Sequence, residues 1–107
     1  MNWENSVQLR NNILLWIFKL QKGSHWIAIH KSCIKNYYFD PYGILPTREV
    51  YNYLDQPFYY NKIQIQQLGM ECCGQLCLYV LFKLSTTKDS FEDIISDMKK
   101  EIDILLN

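Results

Sequence analysis

Surplus charge of either sign is missing from this chain: 11 Lys and Arg stand against 11 Asp and Glu in 107 residues. Proteins held to nucleic acid or to an anionic membrane by their overall field carry a basic excess. Here the densest basic cluster is the Lys99-Lys100 pair, so DNA is not expected as a partner. Long apolar runs are missing as well. Ile13 to Phe18 is uninterrupted but stops at Lys19, far short of the roughly 20 residues of a membrane span. Arg10 imitates the basic region of a signal peptide, yet no small-residue cleavage site follows. No membrane partner is expected, and the location expected is intracellular or inside a particle.

A secreted disulfide framework is also absent. Cys33 stands alone, and Cys72, Cys73 and Cys77 crowd together, an arrangement suited to reduced thiols in a reducing compartment. A Cys-Cys-x-x-x-Cys run with only the distant His25 and His30 does not match the common zinc spacings, so neither a metal nor a cofactor is expected. Repeats, low-complexity tracts and linkers do not interrupt the chain. Residues 1–107 therefore read as a single domain, and a hydrophobic content of 49% supplies material for one core.

Within that domain, Ile13 to Leu20 is β-branched and aromatic and reads as a strand. Lys22-Gly23-Ser24 reads as a turn, and His25 to His30 alternates, with Trp26, Ala28 and His30 on one face and His25, Ile27 and Ile29 on the other. Asn36 to Phe39 makes a third short strand, ended by the turn composition Asp40-Pro41-Tyr42-Gly43. Pro46 suits a first helical position, with Val50 and Leu54 on one side of a short helix to about Asp55. Phe58 to Gln66 resumes an extended pattern in which Ile63 and Ile65 face the core and Gln64 and Gln66 face away. From Cys73 through Leu84 apolar residues cover every angle of a helix, which predicts burial on most sides. Finally, Ser90 with Asp93 resembles a capping box, and Phe91, Ile94, Ile95, Met98, Ile102 and Leu105 form a one-sided stripe. The order of elements predicts an α+β domain with a mainly antiparallel sheet.

Two places in this scheme carry chemistry. A hairpin turning about Ser32 and Cys33 sets His25 directly opposite Asp40. Facing residues of an antiparallel pair bring their Cβ atoms to about 4.5–5.5 Å on the same side, where a carboxylate can fix the imidazole tautomer and support its charged form. The other place is Cys73-Gly74, at the start of the apolar helix. A thiolate on a first helical turn lies at the positive end of the macrodipole, and Gly74 is expected to leave room for a substrate backbone beside the sulfur. Cys77 lies a turn deeper, Cys72 precedes the helix and lacks the glycine, and Cys33 falls in a predicted turn. The residues alone leave a second reading open, in which His25 ends a strand, Asp40 serves a turn and Cys73 is a small buried hydrophobe.

Gly-Ser-His-Trp-Ile-Ala-Ile at 23–29, Tyr-Tyr-Phe-Asp-Pro-Tyr-Gly at 37–43, Tyr-Asn-x-x-Gln-Ile-Gln at 60–66 and Cys-Gly-x-x-Cys-Leu-Tyr at 73–79 together resemble the adenovirus-type maturation proteases. The likeness is strongest to the versions carried by virophages and by Polinton or Maverick transposons, and it spans roughly residues 23 to 84. It implies a papain-like, adenain-like fold with a buried central helix starting at the nucleophile. The site it implies has His25 as base, Asp40 as orienting acid, Gln66 as oxyanion donor and Cys73 as nucleophile. It further implies a cysteine endopeptidase that processes viral or transposon-encoded structural precursors, such as capsid proteins, after small residues like Gly.

SUMO-deconjugating proteases are related and place their glutamine six residues before the cysteine, which would select Gln67 and a ubiquitin-like modifier as substrate. A catalytically silent assembly module of the same fold is the other alternative. The family usually carries more chain before its histidine, so the resemblance implies an N-terminally reduced domain or one completed by an activating peptide or partner chain.

Overall fold

In the computed structural model the backbone is described for residues 2–10, 13–20, 23–31, 35–54, 57–66 and 73–106, and side chains for 25–31, 35–54, 57–66 and 74–105. The elements are β1 (Asn2–Arg10), β2 (Ile13–Leu20), β3 (Gly23–Lys31), β4 (Asn36–Phe39), α1 (Arg48–Leu54), β5 (Tyr59–Tyr60), α2 (Cys73–Thr86) and α3 (Phe91–Leu106). The strands form one mixed sheet in the order β1-β2-β3-β4-β5. Its first four strands pair antiparallel, and β4 pairs parallel with β5. The domain is thus α+β, as its element order predicts. Parallel neighbours need a crossover, and the segment containing α1 supplies it.

β2 and β4 have the predicted boundaries, whereas the predicted turn at Lys22-Gly23-Ser24 is corrected. Gly23 and Ser24 already belong to β3, partnering Leu20 and Lys19, because the long pairing partner offered by β2 extends the ladder to its end. Lys22 lies outside the described residues. No strand is predicted for residues 2–10. β1 is a sheet-edge strand of polar composition whose pairing with β2 is interrupted by two register shifts.

The alternation of β3 divides the core between the two faces of the sheet. Ile27 and Ile29 join Tyr38, Val50 and Leu54 under α1, while Ala28 and Phe39 join Leu76, Cys77, Val80 and Ile94 under α2 and α3. α1 starts later than predicted. Thr47 O accepts the first helical bond from Tyr51 N–H at 2.9 Å, which makes Thr47 the N-cap and leaves Pro46 outside the helix. The last carbonyls of α1 are tied to the sheet: Lys31 Nζ donates to Tyr53 O at 2.7 Å, and Asn36 Nδ2 donates to Leu54 O at 3.4 Å. Those bonds satisfy acceptors that a helix C-terminus leaves open.

α3 begins as predicted, with Asp93 N–H donating to Ser90 Oγ at 3.1 Å. Its stripe is buried from Phe91 to Met98, and Leu105 at the far end is exposed. The predicted burial of α2 on most sides is corrected. Leu76, Cys77, Val80 and Leu81 are buried, but Leu78, Tyr79 and Phe82 are 47%, 43% and 61% exposed. The helix meets β3 beneath it and α3 beside it, which occupies one side of its surface and leaves the other to solvent. Among the described residues no helix is long and apolar enough to cross a membrane.

Candidate active site

His25 is the third residue of β3, and Asp40 immediately follows β4. The predicted register between them is corrected by two residues, since Ala28 pairs with Phe39 and Lys31 with Asn36. A slip of one residue would have sent the two side chains to opposite faces, whereas a slip of two keeps them on one face. The facing pair becomes a diagonal one, still within reach of an imidazole and a carboxylate. His25 Nε2 lies 3.0 Å from both Oδ1 and Oδ2 of Asp40, and the side chains are 5% and 4% exposed. An ionised carboxylate only accepts, so Nε2 carries the proton and Nδ1 is the basic nitrogen of the neutral ring.

Pairing with β3 stops at Phe39, and Tyr42 lies in the turn that follows, against His25. The two rings stack there with centroids 5.0 Å apart and planes 29° apart. Tyr42 N–H also donates to Asp40 Oδ1 at 2.8 Å, an Asx-type turn that holds the carboxylate from behind. Gly43 closes this turn by donating its N–H to Asp40 O at 2.8 Å. It sits at φ 71°, and a Cβ there would meet Ile63 C and O at 3.0 Å, so both conformation and close approach call for glycine.

Asn61 braces the acid from just past the end of β5. Its Oδ1 accepts Asp40 N–H at 3.0 Å, and its Nδ2 donates to Asp40 O at 2.5 Å and to Ile63 O at 3.1 Å. β4–β5 pairing ends at Tyr38 and Tyr60, and the amide of Asn61 extends it with a rung made by a side chain. Replacing Asn61 by alanine strands the buried Asp40 N–H, while Asp40 O keeps its bond from Gly43, a loss of about 1–3 kcal/mol. Thermal unfolding is expected to record it as a midpoint lowered by on the order of 10 °C. An unchanged midpoint would remove Asn61 from this role.

The same interlock corrects the predicted strand from Phe58 to Gln66. Only Tyr59 and Tyr60 are extended in the sheet, Ile63 is 44% exposed, and Ile65 and Gln66 are both buried. Pro41 O accepts the N–H groups of Ile65 and Gln66 at 2.9 and 2.8 Å, which draws the segment out of strand pairing and onto the turn after Asp40. Gln66, 1% exposed, donates its Nε2–H to Tyr42 Oη at 3.1 Å. His25, Asp40 and Gln66 thereby converge around Tyr42. Gln67, Cys72 and Cys33 lie outside the described residues.

Cys73 opens α2, as predicted, and its side chain is outside the described ones. Gly74 lies against Trp26, the residue after His25: a Cβ there would stand 3.4 Å from Trp26 Cδ2, at ordinary van der Waals distance. That contact docks the first turn of α2 against β3, one residue along from the histidine.

No protein family, curated protein or solved structure matches this chain. The site must be read from its own geometry. Among the described residues no group of three or more His, Cys, Asp and Glu side chains could hold a metal. Burial, reinforced by the negative charge of Asp40, pushes the Tyr38 hydroxyl far up and keeps it protonated. Burial also lowers the pKa of His30, which meets Tyr37 edge-on at 5.8 Å and faces away from the pair.

Sequence reasoning missed Tyr42 and Asn61 as members of the site. Both stood in plain view, Tyr42 inside the turn that ends β4 and Asn61 directly after the tyrosine pair. A turn tyrosine and a post-strand asparagine have many local uses, and only the tertiary contacts around Asp40 bring them together.

Proposed function

We propose that the chain is a cysteine endopeptidase in which Cys73 is the nucleophile, His25 the base, Asp40 the orienting acid and Gln66 an oxyanion donor. One observation carries the reading: a buried imidazole has its Nε2 held by a carboxylate and shares a tyrosine neighbour with a buried glutamine, on the strand whose next residue, Trp26, meets the first turn of a helix that starts with cysteine.

In this mechanism His25 Nδ1 takes the proton of the Cys73 thiol, and the positive end of α2 favours the thiolate. The sulfur attacks the peptide carbonyl carbon and the carbonyl electron pair moves to oxygen. Gln66 Nε2–H and a backbone N–H near Cys73 hold that oxyanion. Collapse breaks the C–N bond as the imidazolium returns its proton to the departing amine. Water, deprotonated by His25, then cleaves the thioester and restores the thiol. An amide nitrogen carries two N–H groups, so donation to Tyr42 and to an oxyanion are compatible.

The substrate class in this proposal follows the resemblance: viral or transposon structural precursors cut after Gly, in an adenain-like fold within a reducing cell compartment or a particle. The deciding experiment treats the native protein with iodoacetamide near neutral pH and locates the modified cysteine, alongside cleavage of a short Gly-containing peptide. Preferential labelling of Cys73 together with turnover supports the proposal, and labelling spread evenly over the cysteines without turnover defeats it. Gln66→Ala is expected to lower kcat by about 10²–10³-fold with little change in KM. Preferential cleavage of a ubiquitin-like fusion would redirect the substrate assignment toward deconjugation.

A further inference from the structure

We infer that Tyr42 is a positioning residue that joins the base to the oxyanion donor, so that the orientations of His25 and Gln66 are set by one side chain. The inference rests on the cysteine-protease reading and goes beyond the four residues of its mechanism.

Tyr42 touches three of those four residues by three different groups. Its ring lies on the His25 imidazole at 5.0 Å, its backbone N–H donates to Asp40 Oδ1 at 2.8 Å, and its hydroxyl accepts from Gln66 Nε2 at 3.1 Å. Each contact removes a different freedom. The stacked ring limits rotation of the imidazole about its Cβ–Cγ bond, which the bond to Asp40 leaves as a swing in and out of plane. The N–H bond keeps the carboxylate from turning away. The hydroxyl fixes the far end of a glutamine, whose long side chain otherwise samples several rotamers. A donor that is already aimed before charge develops avoids reorganisation during the reaction.

The tyrosine is itself set by backbone. It occupies the turn closed by the bond from Gly43 N–H to Asp40 O, and Pro41 O in that turn anchors Ile65 and Gln66. The segment bearing the acid and the segment bearing the amide are therefore one rigid piece, and the Tyr42 side chain extends it over the histidine. Among the described residues nothing comparable surrounds His30, whose aromatic neighbour Tyr37 meets it edge-on with planes 80° apart.

The test separates the hydroxyl from the ring. Tyr42→Phe keeps the stack and the backbone N–H but loses the acceptor for Gln66. It is expected to lower kcat about 10-fold with KM within about two-fold, and to leave the rate of Cys73 alkylation unchanged, since alkylation needs no oxyanion donor. Tyr42→Leu removes ring and hydroxyl, and is expected to lower kcat about 100-fold and to slow alkylation as well. The double variant Tyr42→Phe with Gln66→Ala should lose no more than Gln66→Ala alone, because the hydroxyl acts through the amide.

Wild-type kcat in Tyr42→Phe, or a double loss equal to the product of the single losses, overturns the inference while the protease reading stands. A wild-type protein that neither cleaves nor labels at Cys73 overturns both. The alkylation rate, read on the same samples, separates a misfolded variant from a folded one with a displaced donor.

Discussion

Cys73→Ala is expected to reduce peptide cleavage by about 10⁴-fold or more, because the nucleophile and its base act as a unit whose loss is not shared out among neighbours. The variant should still fold, since Cys73 is the first residue of α2 and, among the described side chains of that helix, the buried ones start at Leu76. Thermal unfolding within a few degrees of wild type, measured beside steady-state cleavage, would establish that the loss is chemical. Cys72→Ser and Cys33→Ser should keep most of the activity, and Cys77 serves as a contrast of another kind. It is fully buried in the core beneath α2 and α3, so its replacement is expected to lower stability rather than the rate of folded protein. Full activity in Cys73→Ala would end the proposed mechanism.

The second large effect is expected at the base. His25→Ala should lower kcat by about 10³–10⁴-fold, in line with the weight of general acid–base catalysis, while Asp40→Asn should cost less. An asparagine in that place could still meet Nε2, but through an uncharged group that gives no electrostatic support to the imidazolium. Asp40 also organises the turn through Tyr42 N–H, so Asn is the informative replacement and Ala is not. His30→Ala is the control, because that ring is turned toward Tyr37 and outside the pair. Equal losses at His25 and His30, in samples of matched thermal stability, would assign the base wrongly.

How far the sequence leads depends on how local each signal is. The strands Ile13–Leu20 and Asn36–Phe39 and the Ser90 cap are set by neighbours in the chain, and they stand where the pattern places them. The pairing of His25 with Asp40 was legible for a reason that also shows the limit of the method. The predicted register was two residues off, yet side-chain direction in a sheet repeats every two residues, so the partners stayed on one face. The segment after Tyr60 was misread because its isoleucines alternate as in a strand. Pro41 O captured two of its N–H groups, a tertiary contact with no trace in the local pattern. The exposed side of α2 was equally hidden, since composition records how apolar a helix is and not how many neighbours the fold can provide.

The parallel pairing of β4 with β5 carries one more consequence, which concerns chain length. Because both strands run the same way, the turn after Asp40 and the segment from Asn61 to Gln66 leave the sheet at one end, and the connection between them passes away from the site through α1. Extra residues entering after Ile44 and Leu45, which are 57% and 60% exposed, would lengthen that path without moving either end. Doubling such a loop costs only about 0.6 kcal/mol in closure entropy. Related chains are therefore free to vary in length between Leu45 and Thr47, whereas an insertion within Asp40–Gly43 or Asn61–Gln66 would pull apart segments that the chemistry needs side by side.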